Sequence, residues 1–111
     1  MKRHLIPLMA TLAVSGATHA GCTADTPPAT PDARRATEFE MLDAQLALNT
    51  YLTNNNDYLA CLDREGAEAS EDEMVAVSAA RTAAYSAAVE EMTATTSAFN
   101  DAMAKFRGVS R

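Results

Sequence analysis

Residues 75–106 read VAVSAARTAAYSAAVEEMTATTSAFNDAMAKF, and the spacing in this stretch decides the fold. Val75, Ser78, Thr82, Tyr85, Val89, Met92, Thr96, Phe99, Met103 and Phe106 follow one another at alternating steps of three and four. Tyr85, Met92, Phe99 and Phe106 stand seven apart. An alternation of this kind, sustained over successive heptads, is the seam of a long helix packed on another helix. The other faces are rich in alanine, among them Ala79, Ala83, Ala87, Ala94 and Ala98. Alanine favours helix and lets neighbouring backbones come close, but it buries little area per residue. The β-branched Thr93, Thr95 and Thr96 are a local weak point in helix propensity, and Gly108 ends the segment.

Upstream, Thr37-Glu38-Phe39-Glu40 is a capping box, so a first helix is expected over 38–64. Met41, Ala44, Leu48, Tyr51, Leu52, Asn55, Tyr58, Leu59 and Leu62 fall on one of its faces at helical spacing. Asn54-Asn55-Asn56-Asp57 is its weak patch, because these residues favour turns and caps. Either the helix continues, with Asn55 fixing register at the seam, or it breaks in two here; continuity is the reading adopted. Gly66 is expected to end this helix with a positive φ. Ser70-Glu71-Asp72-Glu73 reads as a second capping box, opening a helix over 71–107. Those acids lack the alternating spacing and central glycine of an EF-hand.

The expected fold is all-α: a coiled-coil-like antiparallel two-helix hairpin over 37–108, preceded by an extended Pro-rich arm over 21–36. At the standard rise the helices measure ~40 Å and ~55 Å, so the second overhangs by about ten residues. Phe99, Met103 and Phe106 lie in that overhang. An apolar end in water needs a cover, which makes them a candidate self-association face, for instance in a homodimer; the arm can cover part of it.

At the N-terminus, Met1-Lys2-Arg3-His4 is a basic lead, Leu5 to Ala17 an apolar run, and Thr18-His19-Ala20 a small-residue cleavage site. This order is that of a signal peptide, expected to be cut after Ala20, and the run falls short of the ~20 residues that span a bilayer. The expected destination is therefore periplasmic or secreted. Both histidines, His4 and His19, belong to the leader, and the chain has no tryptophan. The mature chain then offers no histidine for Ser-His or Cys-His catalysis, imidazole metal binding or acid–base work. Loss of Lys2 and Arg3 leaves seven basic residues against 15 acids, a net charge of −8. Nucleic acid is a poor match for that balance. Asp63, Glu65, Glu90, Glu91 and Asp101 read as solvated helix-face charges, and Met41, Met74, Met92 and Met103 as core, being too spread in sequence for a copper site.

Two cysteines in an exported chain of this size invite a disulfide. From Thr37 to Cys61 the helix covers ~36 Å. The arm from Cys22 to Thr37 covers ~46 Å if it is polyproline-like. An arm leaving the helix start can therefore run back along the helix and bond Cys22 to Cys61. Closing that loop contributes about 4 kcal/mol in the chain-entropy treatment. The same residues carry a competing reading: His19-Ala20-Gly21-Cys22 is similar to a lipobox, although His19 stands where an aliphatic residue is usual. Acylation at Cys22 would make a lipid-anchored envelope lipoprotein, and membrane contact is expected only in that case.

Pro31-Asp32, Ala36-Thr37, Glu40-Met41-Leu42, Tyr58-Leu59-Ala60-Cys61-Leu62-Asp63 and Ala87-Ala88-Val89-Glu90-Glu91-Met92 with Phe99-Asn100 resemble a group of small secreted proteobacterial proteins. Members of that group have a leader, a cysteine before a Pro-rich arm and a second cysteine in a Tyr-Leu-Ala-Cys-Leu setting. This chain departs from the group at Ala33-Arg34, where a turn glycine is expected, and at Tyr85. The resemblance implies location and architecture, and no activity. Together these readings point to a non-enzymatic envelope protein without cofactor or metal, structural or protein-binding, whose partner is an unknown protein or itself. The alternatives are the Cys22 lipoprotein and a periplasmic stress chaperone or inhibitor.

Overall fold

The computed structural model describes residues 18–109 apart from Ala20. Most of the expected leader, and Ala20 at its expected cut, lie outside the described residues. Thr18–His19 (β1) pairs antiparallel with Cys22–Thr23 (β2), in the register Thr18↔Thr23 and His19↔Cys22. Gly21 makes the turn between them at φ +102°, a conformation that side chains resist. Two long helices follow: α1, Glu38–Glu68, and α2, Val75–Val109. They pack against each other as the expected hairpin. Met41 near the start of α1 shares a core with Phe99 and Ala102 near the end of α2. Leu62 near the end of α1 shares another with Ala88 and Ala84.

Thr37 caps α1 as read from the sequence, its Oγ1 accepting from the Glu40 amide at 3.1 Å. The helix is continuous through Asn54–Asp57. All nine residues assigned to its inner face are buried or half-buried.

The hairpin turn differs from expectation. Gly66 does not end α1, which runs on to Glu68. It lies in the last turn beneath Arg81, where a Cβ would sit 3.6 Å from the Arg81 Cδ. Nor does Ser70 open α2. Residues 70–73 form a turn closed by the Glu73 amide on the Ser70 carbonyl, 3.0 Å. The helix starts at Val75, with the Met74 carbonyl accepting from Val77 and Ser78. The physical reason lies in the Glu73 side chain, which reaches into α2 to pair with Arg81 instead of turning back on Ser70.

These shifts lengthen the first helix and shorten the second, to 31 and 35 residues, so the large overhang disappears. Phe99 is 8 % exposed, packed with Met41, Leu48, Tyr51 and Ala33, while Met103 and Phe106 lie half-buried against the same cluster. Phe99 is therefore spent within its own chain, which corrects its assignment to a free self-association face. Met74 departs from its core assignment too, being 70 % exposed at the head of α2.

The seam on α2 is rotated from the expected one. Tyr85, Met92, Phe99 and Phe106 face inward, but Arg81, Ala88 and Ala102 are more buried than the expected Thr82, Val89 and Met103, while Thr95 and Thr96 are both half-buried. Ala88 and Ala102 are buried, whereas Val89 is 40 % and Val75 84 % exposed. Both series satisfy a three–four alternation, so spacing alone does not separate them. The arm does. It lies along the flank that carries Ala84, Ala88 and Ala102, and the small side chains let its backbone approach.

Candidate functional site

The arm is held at three levels as it runs from the end of α1 back to its start. At the first, Cys22 and Cys61 form a disulfide, with Cα atoms 5.6 Å apart and a sequence separation of 39. Cys22 is 1 % exposed, beside Tyr58, Leu62 and Ala88. With its sulfur in that bond, Cys22 has no thiol to acylate, which counts against the lipoprotein alternative.

At the second level the Asp25 amide donates to Asn55 Oδ1 at 2.8 Å, and Asn54 Nδ2 donates to Asp25 Oδ2 at 2.9 Å. Asn55, 1 % exposed, is the buried polar residue of the core. Its side chain clamps a part-buried amide of the arm instead of setting interhelical register. A helix-poor Asn run with one member on the apolar face was the visible signal; its target was not.

At the third level Asp32 opens a turn. Its carbonyl accepts from Arg35 and Ala36, and its carboxylate from the Arg34 amide at 3.1 Å. The turn pushes Ala33 into the core against Met41, Phe99 and Ala102. This is the place where a turn glycine is expected; the methyl of Ala33 is used for packing instead.

Near the disulfide the helices bring polar groups together. Glu65, one turn beyond Cys61, is half-buried, so it is not the solvated charge expected from sequence, and its Oε1 has no protein partner. The Tyr58 hydroxyl and Arg81 Nε are likewise buried without a partner. Burial, with the Glu65 carboxylate adding to it, pushes the Tyr58 hydroxyl above its ordinary pKa of 10.0. The Glu73 carboxylate hydrogen-bonded to Arg81 raises that guanidinium further above its ordinary value. One turn pair farther along, the Tyr51 hydroxyl donates to Glu91 Oε1 at 3.3 Å. Burial raises it first, opposed by a contact from Thr95 and reinforced by the Glu91 charge. Cys22, Cys61 and Glu65 place their donor atoms within 4.8 Å of one another. With both sulfurs bonded to each other, the trio offers a carboxylate and no thiolate, which is a poor ligand set. Asp63, Glu90, Glu91 and Asp101 are exposed, as expected.

The flank opposite the arm is open. A groove of about 370 Å³ lies between Leu62, Asp63 and Gly66 on α1 and Ser78, Arg81, Thr82 and Tyr85 on α2. A second, of about 440 Å³, lies between Leu52 on α1 and Met92, Thr93, Thr96, Asn100 and Asp101 on α2. Both are on the same side of α2, since their residues continue one another at steps of three and four through Val89. The threonine hydroxyls there bond back into the helix, Thr82 to the Ser78 carbonyl and Thr93 to that of Val89, so their methyls are left facing outward. Among the described residues no helix is long and apolar enough to cross a membrane.

Among the described residues, fold and site together define a disulfide-strapped helical hairpin whose arm covers one flank and leaves the other open. The chain matches no family model, no curated protein and no solved structure. The likeness to small secreted proteobacterial proteins therefore rests on the residues quoted for it.

Proposed function

We propose that this chain is a non-enzymatic, exported protein-binding module of the cell envelope, delivered by its leader and working through the open groove. The observation that carries the reading is the asymmetry of the hairpin. One flank is covered by a covalent strap, while the other presents threonines, serines and small side chains along much of α2, with Asp63, Arg81 and Asp101 among its lining. A groove of that composition suits a helix laid into it, recognised by side chains at helical spacing. The Cys22–Cys61 bond supports an oxidising compartment, and such a staple is what a small, alanine-rich core requires.

The compartment is tested by the intact mass of the chain recovered from the envelope fraction, with and without reductant. A chain beginning at Gly21 that gains two hydrogens on reduction is expected; a full-length or acylated chain overturns the reading. Binding is tested by a photo-crosslinking residue in place of Thr93. An adduct formed in cells is expected there and not at Thr50, on the back of α1; no adduct at Thr93 removes the groove as a binding surface.

A further inference from the structure

We infer that the disulfide end of the hairpin is a redox-gated zinc site, in which the reduced Cys22 and Cys61 and the Glu65 carboxylate hold one Zn2+ ion. The site is separate from the protein-binding reading and stands without it.

The first observation is convergence. Among the described residues, Cys22 from the arm and Cys61 and Glu65 from α1 place donor atoms within 4.8 Å of one another. Cys61 and Glu65 stand four apart on one helix face, and the arm sets the Cys22 Cα 5.6 Å from that of Cys61. Tetrahedral zinc, with Zn–S bonds of about 2.3 Å, holds two sulfurs ~3.8 Å apart. The Cβ atoms of a disulfide pair are themselves about 3.8 Å apart. Two thiolates lying side by side therefore reach the zinc spacing from this backbone by side-chain rotation.

The second observation is an unmet polar group. Glu65 Oε1 is buried and has no hydrogen-bond partner. Arg81 is near enough to feel the Glu65 charge, yet its guanidinium is bonded to Glu73. A buried carboxylate oxygen without donor or cation costs the fold stability, and a bound metal ion removes that cost. The Tyr58 hydroxyl, also buried without a partner, feels the same charge.

The ligand set names the metal. Ca2+ and Mg2+ take oxygen donors, and Cu+ is selected by soft sulfur donors, so neither suits two thiolates with a carboxylate. Zinc accepts sulfur and oxygen together, and three protein ligands leave its fourth position to water.

Reduction opens the site. A small-molecule or protein thiol attacks Cys61, which is half-buried where Cys22 is 1 % exposed, forming a mixed disulfide and releasing Cys22 as a thiolate. A second thiol frees Cys61, so two electrons enter the protein and the reductant leaves as its own disulfide. Zinc then displaces the two cysteine protons into solvent. In the reverse direction, a disulfide oxidant takes two electrons and two protons, re-forms Cys22–Cys61 and expels Zn2+. The arm is tied to α1 across the same sequence separation of 39 in either form.

The test uses the chain recovered from expressing cells, part of it reduced with a phosphine and kept anaerobic. Cobalt(II), a spectroscopic substitute for zinc, should bind the reduced chain one-to-one with a thiolate-to-cobalt charge-transfer band, and zinc should displace it. Zinc should also raise the unfolding midpoint of the reduced chain. Glu65→Gln should weaken cobalt binding at least ~10-fold, while Glu68→Gln, an exposed acid three residues on, should not. The disulfide form should give no band. A reduced chain without the band overturns the proposal, as does one cobalt shared between two chains. Equal affinity in wild type and Glu65→Gln overturns it too, and this is the result expected if the reduced chain has unfolded and binds through its cysteines alone. Equal weakening by Glu68→Gln does the same, by reducing the effect to bulk charge.

Discussion

The two flanks of the hairpin are made from one helix pair, yet they have opposite fates. On one side of α2, Ala84, Ala88 and Ala102 lie beneath a strap bonded through Cys22, clamped at Asp25 and plugged by Ala33. On the other, Thr82 lines one open groove and Thr93 and Thr96 line the next. The difference shows how little separates a buried helix face from an exposed one. Moving one residue along α2, from Val89 to Ala88, exchanges an open position for a closed one. The closed side is set by a covalent tie between Cys22 and Cys61, on other elements, and not by greater hydrophobicity, since alanine is the less apolar of the two.

The largest effect that could break this contrast is loss of the tie. Cys61→Ser should cost about 4 kcal/mol in urea unfolding, from the closed loop alone. It should also expose the strapped flank, read as faster amide exchange at Asp25 and Ala33. If stability is unchanged, the strap is ornamental and the two flanks are equivalent. Next comes the clamp: Asn55→Ala takes the acceptor from the part-buried Asp25 amide and should cost about 1–3 kcal/mol by the same measurement. The neighbouring pair on α2 sharpens the comparison further. Ala88→Leu overpacks the strapped side and should cost about 1–3 kcal/mol, whereas Ser86→Ala on the open side should change stability by less than about 0.5 kcal/mol. Similar costs for both would contradict the asymmetry.

The smallest effects concern the buried hydroxyls. Tyr51 and Tyr58 have pKa values raised above 10.0, so folding favours their neutral forms. Their contribution is complete below pH 10 and is lost as pH rises through the folded-state values. Phenolate absorbance should therefore show tyrosines ionising later in the folded chain than in urea, with stability falling over that alkaline range. Tyr58→Phe removes a buried hydroxyl that has no protein partner and should leave stability level or slightly higher. Tyr51→Phe loses the bond to Glu91 and should cost about 0.5–1.5 kcal/mol.

Much of this architecture was legible in the residues. The inner face of α1 is apolar at helical spacing over its whole length, so it had one solution, and the Thr37 cap is a local feature that does not depend on the fold. The cysteine pairing followed from lengths, because an extended arm outreaches a helix per residue. The turn was misread because Gly66 and the Ser70–Glu73 box are good local signals that a tertiary ion pair, Glu73 with Arg81, overrides. Glu65 was misread for a similar reason: nothing local says that the position one turn past a cysteine faces the disulfide and not water. The roles of Asn54 and Asn55 depend on an arm thirty residues upstream and could be seen as an oddity but not explained.

By itself, then, the sequence determined that there are two helices, that they form a hairpin and that the cysteines can meet. These rest on periodicity, caps and chain length, which are properties of short segments. Only the tertiary structure decided which of two equally regular stripes on α2 is buried, and so which is left open. An alanine-rich helix offers several faces of similar burial energy, and the choice passed to the arm, whose position is set by one disulfide and one buried asparagine.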